Sequence, residues 1–392
     1  MMNKIEFKKG SYRLNKQDNF NFQLNRVIMW DGGRLEDVER ISNKITDSKS
    51  WKEQLIKLGD IAIKENRTEN AIAYYRMSEF FMYDGDEDKL KYYQLATKLF
   101  YDYYQDYFSN NKVKRLKVDY EGVALPVMYT KAIGEKKDTI LLHGGNDSYY
   151  EEFFYPMIYF AENGFDVYLF EGPGQGGVVR EQGKHFTPYW EKPVKAVLDA
   201  LKLEDVTIIG ASLGGMLAPR AAAFDKRIKR VIGWSIFPNF LSVALYSFPK
   251  SARGIVKWML NHNFKWIINS KVKKLMKKDP TVDWGIKHGM YAYEVESPFE
   301  YLKKLNTYQM VDVGHRITQD MLVIGAEKDH FINKELYKEE LDSLVNVRSL
   351  TYRLFTEKEY GEGHCNVGCS KLCFDTMINW IEQMKKRDSY MG

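Results

Sequence analysis

The feature that most constrains this fold is a glycine-flanked serine placed between a strand and a helix. Residues 206–209 form an apolar, β-branched run that predicts a buried strand, and residues 216–223 predict a helix. Between them, Gly210, Ser212 and Gly214 fit the pattern Gly-x-Ser-x-Gly. A sharp turn at this point would clash with larger flanking side chains, and it would hold the serine hydroxyl near a helix N-terminus that favours negative charge. We interpret the segment as a nucleophile elbow, with an ordinary glycine-rich turn as the alternative.

A serine hydroxyl needs a base that takes its proton and a third group that orients the base. In the α/β-hydrolase arrangement an acid and then a histidine follow the serine along the chain. Residues 321–326 predict a buried strand, and Asp329 comes directly after it, so Asp329 is the candidate acid and Glu327 its rival. Residues 348–355 predict a further strand, and the loop after it contains His364, the candidate base. A surface aspartate and a structural histidine are the alternatives at these two positions.

The same chemistry requires backbone N–H groups that bind a developing oxyanion. One donor is expected from the residue after the nucleophile, which is Leu213. The other is expected from the loop after an early core strand. Residues 139–142 predict that strand, and His-Gly-Gly follows it, which makes Gly145 the second candidate donor. A plain glycine turn is the alternative.

A glycine-rich loop follows another predicted strand, at residues 167–170. It begins with Glu171 and Gly172, and no Lys-Ser or Lys-Thr pair follows its glycines, so the pattern excludes a phosphate-binding P-loop. Loops at the carboxyl ends of parallel strands commonly face the ligand. We therefore expect Gly144, Glu171 and Gly172 to belong to loops on the substrate side.

Together these motifs predict a serine hydrolase. Ser212 would attack a carbonyl carbon while His364 accepts its proton, and Asp329 would fix the tautomer of the imidazole. Water would then release the acyl-enzyme. Two alternatives remain: acyl transfer to an alcohol or amine, and a non-catalytic binding or regulatory protein on a hydrolase scaffold. The second should lack one member of the triad, and all three candidates are present.

Charge and length exclude some classes of protein. The chain has 392 residues, which predicts two domains or a core with large insertions. Its net charge of +5, from 58 basic and 53 acidic residues, gives no argument for a nucleic-acid partner. The lysine-rich run at 271–278 is interpreted as a solvated helix face.

No segment approaches the roughly 20 apolar residues of a membrane span, so no membrane partner is expected. The N-terminal residues lack the apolar stretch of a signal peptide, so we expect a cytoplasmic protein.

Three cysteines lie close together, at positions 365, 369 and 373. A spacing of four residues would place them along one face of a helix. It is not a standard spacing of metal ligands, so the preferred interpretation is that they are small packing residues. We expect neither a metal nor a cofactor.

The remaining segments predict helical additions to an α/β core. Residues 1–112 read as helical and are interpreted as an N-terminal cap domain, with a packing or dimerisation module as the alternative. Residues 113–392 hold all of the predicted strands. The insertion at 238–320 is far longer than one crossover helix requires and is interpreted as a second helical lid.

Several segments resemble one group within the α/β-hydrolases. They are Phe-Glu-Gly-Pro-Gly-Gln-Gly at 170–176, the elbow at 210–215, and Gly-Glu-Gly-His-Cys-Asn at 361–366. The helical N-terminal extension is also similar. This group contains 2,6-dihydroxypseudooxynicotine hydrolase, the fungal yellowish-green pigment polyketide hydrolases and proteins like the fermentation/respiration switch protein.

The resemblance implies an α/β-hydrolase fold with a mostly parallel central sheet, an N-terminal helical domain and a helical cap insertion. It implies a triad of Ser212, Asp329 and His364, a small-molecule substrate and, in many members, a homodimer. Some members cleave the C–C bond of substrates that resemble β-diketones. No motif in the chain fixes that reaction, so ester, amide and activated C–C bonds all stay open.

Overall fold

The computed structural model describes residues 6–30, 32–83, 85–246 and 248–391. The chain divides into two compact units. The sheet unit comprises Met1–Gly10, Gln105–Pro238 and Gln309–Gly392, of which residues 1–5 and 392 lie outside the described part. The helical unit comprises Ser11–Tyr104 and Asn239–Tyr308.

An eight-stranded sheet forms the centre of the sheet unit, in the order β1-β2-β4-β3-β5-β6-β7-β8. Strands β1 and β2 pair with their neighbours antiparallel, and all the other neighbours are parallel. This confirms the predicted mostly parallel sheet. The strands are β1 (Val113–Tyr120), β2 (Val123–Thr130), β3 (Asp138–His143), β4 (Phe165–Phe170), β5 (Val206–Ala211), β6 (Ile228–Trp234), β7 (Asp320–Ala326) and β8 (Ser349–Phe355).

Each of the central strands contains a run of apolar residues. Every residue of β3, β5 and β7 is buried, as expected for parallel strands that are covered on both faces. The strands predicted at 139–142, 167–170, 206–209, 321–326 and 348–355 correspond to β3, β4, β5, β7 and β8. Strand β6 ends at Trp234, because Ser235 adopts a left-handed backbone with φ 66°.

Helices cover the sheet and form the second unit. Those of the sheet unit are α6 (Gln105–Ser109), α7 (Phe154–Glu162), α8 (Gly176–Arg180), α9 (Glu191–Leu201), α10 (Gly214–Phe224), α16 (Glu335–Ser343) and α17 (Ser370–Met391). Those of the helical unit are α1 (Asp18–Met29), α2 (Leu35–Ser42), α3 (Ser48–Lys64), α4 (Thr68–Glu79), α5 (Glu87–Tyr103), α11 (Phe240–Leu245), α12 (Lys250–Asn261), α13 (Lys265–Met276), α14 (Pro280–Ala292) and α15 (Pro298–Leu305). No helix among the described residues is long and apolar enough to cross a bilayer.

The helical unit has one aromatic core built from two distant parts of the chain. Trp51 of α3 donates its indole N–H to the carbonyl of Met77 in α4, at 2.6 Å. Trp284, from the insertion, stacks on Phe80 at 4.9 Å between ring centroids and donates to the Phe80 carbonyl at 3.0 Å. The N-terminal helices and the insertion, which the sequence placed in separate segments, therefore pack as one unit. Their role as a cap stays a prediction.

Candidate active site

Ser212 lies at the carboxyl end of β5, in the sharp turn that precedes α10. Its φ is 58°, a left-handed conformation that is costly for a residue with a side chain, and its N–H donates to the Trp234 carbonyl at 2.8 Å. The flanking glycines are sterically required. A Cβ on Gly210 would lie 2.0 Å from the Gly214 carbonyl oxygen, and one on Gly214 would lie 2.7 Å from the Gly144 carbonyl oxygen. The turn thus has the form expected of a nucleophile elbow.

The structure brings the three predicted triad residues into one chain of hydrogen bonds. His364 Nε2 lies 2.8 Å from Ser212 Oγ, and His364 Nδ1 lies 2.7 Å from Asp329 Oδ2. Asp329 follows β7 and His364 follows β8, so the side chains meet at the carboxyl edge of the sheet. Because an ionised carboxylate only accepts hydrogen bonds, Nδ1 carries the proton and Nε2 is left to accept from the serine hydroxyl.

The Asp329 carboxylate is held ionised within a fully buried site. Its second oxygen accepts the N–H groups of Phe331 and Ile332, at 2.9 and 3.0 Å. Burial by itself raises the pKa of this carboxyl, but the neighbouring His364 charge and these hydrogen bonds outweigh burial and hold the pKa below its ordinary value. The rival Glu327 points elsewhere and accepts the N–H of Glu357.

Opposing effects act on the His364 imidazole. Burial lowers its pKa, while the Asp329 charge, the neighbouring Cys365 and the hydrogen bond to Asp329 raise it, and the net pKa lies well above 6.5.

Only the neutral imidazole of His364 can take the serine proton. We therefore expect kcat/KM to fall as pH decreases through this raised pKa, with the midpoint of the acid limb above 6.5. A pH profile of ester hydrolysis measures this midpoint. A midpoint at or below 6.5 would contradict a pKa of His364 that is raised by Asp329.

The two candidate oxyanion donors differ in their availability. The Leu213 N–H has no hydrogen-bond partner among the described residues, so it can bind a ligand oxygen. Gly145 lies beside the elbow, since a Cβ placed on it would be 2.8 Å from the Leu213 nitrogen. Its own N–H, however, donates to Ser148 Oγ at 3.0 Å. The sequence analysis did not identify Ser148 as a partner of Gly145. The available signal was its position three residues after Gly145, because serine side chains in turns often bond to nearby backbone groups.

Gly144 and Gly172 both lie in tightly packed loops. A Cβ on Gly144 would be 2.3 Å from the Ser148 Cβ, and one on Gly172 would be 2.3 Å from the Trp190 ring. The Gly144 carbonyl accepts the Gln175 amide at 2.8 Å, which ties the loop after β3 to the loop after β4. The contacts observed for these glycines hold the loops together, and a part in substrate binding stays a prediction.

Glu171 is buried at the start of the glycine-rich loop. Its carboxylate accepts the N–H groups of Tyr150 and Gly177, at 2.9 and 3.0 Å. Burial and the nearby Glu151 raise its pKa to about 8. A carboxyl with this pKa holds its proton at neutral pH, so Glu171 contributes no full negative charge to the site.

Asn366 is a buried residue of the histidine loop that was not singled out from the sequence. Its side-chain oxygen accepts the Trp234 indole N–H at 3.0 Å, and its amide donates to the Gly361 carbonyl at 2.8 Å. These bonds tie the loop that carries His364 to the end of β6. Its φ is 52°, and Asn is among the residues best tolerated in left-handed backbone.

The three cysteines are free and buried, as the packing interpretation expects. The expectation of one helical face is wrong, because Cys365 has a left-handed backbone with φ 50° and only Cys373 lies in α17. Among the residues that the structure describes, no group of three or more His, Cys, Asp and Glu side chains is arranged to hold a metal ion.

The sequence profile of the alpha/beta hydrolase fold matches residues 140–367, which is more than half of the chain. The chain belongs to the α/β-hydrolase family. This confirms the resemblance carried by the segments at 170–176, 210–215 and 361–366. Membership of this family supports a hydrolase activity.

Named hydrolases are similar to this chain over most of its length. Hydrolase acrC of Aspergillus aculeatus is 27% identical, over 83% of this chain and 82% of that protein. The 20-hydroxy-prefusarin hydrolase FUS2 of Gibberella moniliformis is 24% identical, over 93% and 96%. The crystal structure of 2,6-dihydroxy-pseudo-oxynicotine hydrolase matches with a TM-score of 0.62 at 19% identity, covering 91% of this chain and 94% of that one. This structural match shows a shared fold.

Proposed function

We propose that the protein is a serine hydrolase that acts through a Ser-His-Asp triad and an acyl-enzyme. The observation that carries the proposal is the unbroken path from Asp329 through His364 to Ser212, with contacts of 2.7 and 2.8 Å. Ser212 attacks a carbonyl carbon as its proton passes to His364 Nε2. Asp329 keeps the proton on Nδ1 and stabilises the imidazolium that forms.

The oxyanion is bound by the N–H groups of Leu213 and Gly145. The Leu213 donor is available as the protein stands, whereas Gly145 becomes available when the Ser148 hydroxyl rotates away from it. This step is a change of the Ser148 side-chain rotamer. His364 then protonates the leaving group, and a water molecule activated by the same imidazole releases the acyl group.

The substrate class is a small or medium-sized carbonyl compound. Ester, amide and activated C–C bonds all place an electrophilic carbonyl in front of Ser212, and the names of the relatives support hydrolysis. Acyl transfer differs only in the acceptor that reaches the acyl-enzyme. A cap role for residues 1–112 and for the insertion at 238–320 stays a prediction. A homodimer and a cytoplasmic location stay predictions.

An acyl-enzyme can be detected by competition for it. With 4-nitrophenyl acetate as substrate, added hydroxylamine is expected to give acetyl hydroxamate at the expense of acetate, because the acyl group is still bound after nitrophenol has left. Hydroxamate formation is measured beside nitrophenol release, with an anilide and a β-diketone run in parallel. If nitrophenol is released but no hydroxamate forms, the reaction does not pass through an acyl-enzyme that hydroxylamine can reach. Failure to turn over any of the three compounds would favour the binding protein on a hydrolase scaffold.

A further inference from the structure

The helical unit carries a strongly basic pair of helices, α12 and α13, called here the basic hairpin (residues 250–278). The stretch from 238 to 278 contains no Asp or Glu. Its cations are Lys250, Arg253, Lys257, Lys265, Lys271, Lys273, Lys274, Lys277 and Lys278. Since the whole chain has a net charge of only +5, the rest of the protein is net negative and the positive charge is concentrated here.

Most of this charge is not neutralised locally. Lys265 pairs with Glu300 at 2.6 Å. The five lysines between 271 and 278 form no ion pair among the residues that the structure describes, and four of the five lie in or directly after the last turn of α13. They therefore present a positive surface that pairs with no carboxylate among the described residues.

Large apolar side chains are exposed in the same hairpin. Trp266 is 81% exposed, Ile255 58%, Trp258 52% and Phe264 37%. The Trp258 ring stacks on Phe264 and on His262, at 5.1 and 4.6 Å between centroids, which preorders an aromatic cluster at the bend between the helices. By contrast, α12 buries only Leu260, and α13 buries only Ile268 and Val272. Exposed apolar surface of this kind, bordered by charge, marks an interaction site.

We propose that the basic hairpin docks on the surface of a bilayer that contains anionic lipid. Helices that carry lysines together with exposed tryptophan, phenylalanine and isoleucine lie in the headgroup region, where tryptophan is especially favoured. The lysines complement the anionic headgroups, and their long stems reach past the apolar side chains to them. The expectation of no membrane partner rested on the lack of a spanning segment, whereas this contact is peripheral.

Two other occupants fit the surface less well. A second copy of the chain, docked through the same face by two-fold symmetry, would place the lysines of one hairpin against those of the other. A nucleic acid would match the charge, but it offers no apolar layer for Ile255 and the strongly exposed Trp266. Of these three occupants, a lipid surface is the one that satisfies both the charge and the apolar side chains.

Co-sedimentation with lipid vesicles tests the proposal on the full chain. At low salt the protein is expected to bind vesicles of phosphatidylserine mixed with phosphatidylcholine, to bind pure phosphatidylcholine far less, and to be released as ionic strength rises. Lys271→Glu combined with Lys274→Glu is expected to weaken binding at least about tenfold, since each lysine near an anionic surface contributes about fivefold. Trp266→Ala is expected to weaken binding to the same vesicles through lost apolar insertion.

Matched control variants distinguish vesicle binding through the basic hairpin from binding that any exposed lysine or aromatic ring would cause. Lys114→Glu with Lys117→Glu reverses two exposed lysines on β1, and Tyr390→Ala removes a ring that is 75% exposed in the sheet unit. Both are expected to bind vesicles like the wild type, and the melting temperature of each variant checks its fold.

Three results would overturn the proposal. The first is absence of vesicle binding by the wild type at low salt. The second is equal binding by the hairpin and control variants. The third is that the protein leaves vesicles unbound and instead binds a duplex oligonucleotide, or forms a dimer that the Trp266→Ala variant no longer forms.

Discussion

Replacing Ser212 by alanine is expected to lower kcat/KM for an activated ester by at least about 10⁴-fold. The variant lacks the proposed nucleophile, the hydroxyl oxygen that lies 2.8 Å from His364 Nε2. Removal of one hydroxyl leaves the elbow intact, since the turn is held by the Ser212 N–H bond to the Trp234 carbonyl and by close packing of the flanking glycines. The melting temperature should therefore change little. Residual activity then reports catalysis by the oxyanion donors and substrate binding alone.

Ser343→Ala is the matched control for this variant. Ser343 lies at the end of α16, where its hydroxyl donates to the Glu340 carbonyl at 2.7 Å. The same change of side chain at this site should leave kcat/KM near that of the wild type. A Ser212→Ala enzyme that keeps a tenth or so of wild-type turnover would exclude Ser212 as the nucleophile.

Asp329→Asn is expected to lower kcat by about 10⁴-fold, an effect of the kind seen when a triad acid loses its charge. The amide is nearly isosteric, and its oxygen can still accept the N–H groups of Phe331 and Ile332, so the loop should keep its shape. The amide nitrogen facing His364 Nδ1 is a donor, however, and favours the tautomer with the proton on Nε2. That tautomer cannot accept the serine proton.

Glu327→Gln tests the rival acid under the same conditions. Its carboxylate accepts the Glu357 N–H at 3.3 Å and has no described contact with His364, so loss of its charge should change kcat/KM little. Full activity of Asp329→Asn together with loss of activity in Glu327→Gln would overturn the assignment of the acid.

Local sequence patterns predicted the sheet and the placement of the triad candidates. Strands β3, β5 and β7 each contain an apolar run and are buried along their whole length, as parallel strands that are covered on both faces are. Each candidate follows the end of such a strand or its neighbour β8. Because the carboxyl ends of parallel strands share one edge, the chain order of Ser212, Asp329 and His364 was sufficient to predict that they meet.

Features that depend on long-range packing could not be predicted in this way. The shared core of the helical unit rests on the stacking of Trp284 on Phe80, which are far apart in sequence and carry no joint pattern. The bond between Gly145 and Ser148, and the anchoring of Asn366 by Trp234, are likewise visible only in three dimensions. The run of lysines was apparent from the sequence, but the exposure of Trp266 beside it was not.

Labelling with a fluorophosphonate probe, followed by peptide mapping, determines whether Ser212 is an activated nucleophile. A serine hydroxyl that shares a hydrogen bond with an oriented neutral imidazole attacks phosphorus, whereas ordinary serines do not. We expect one adduct per chain, located on Ser212, which is absent in Ser212→Ala and forms much more slowly in Asp329→Asn. Folded wild-type protein that forms no adduct, or forms it at another residue, would exclude Ser212 as the activated nucleophile.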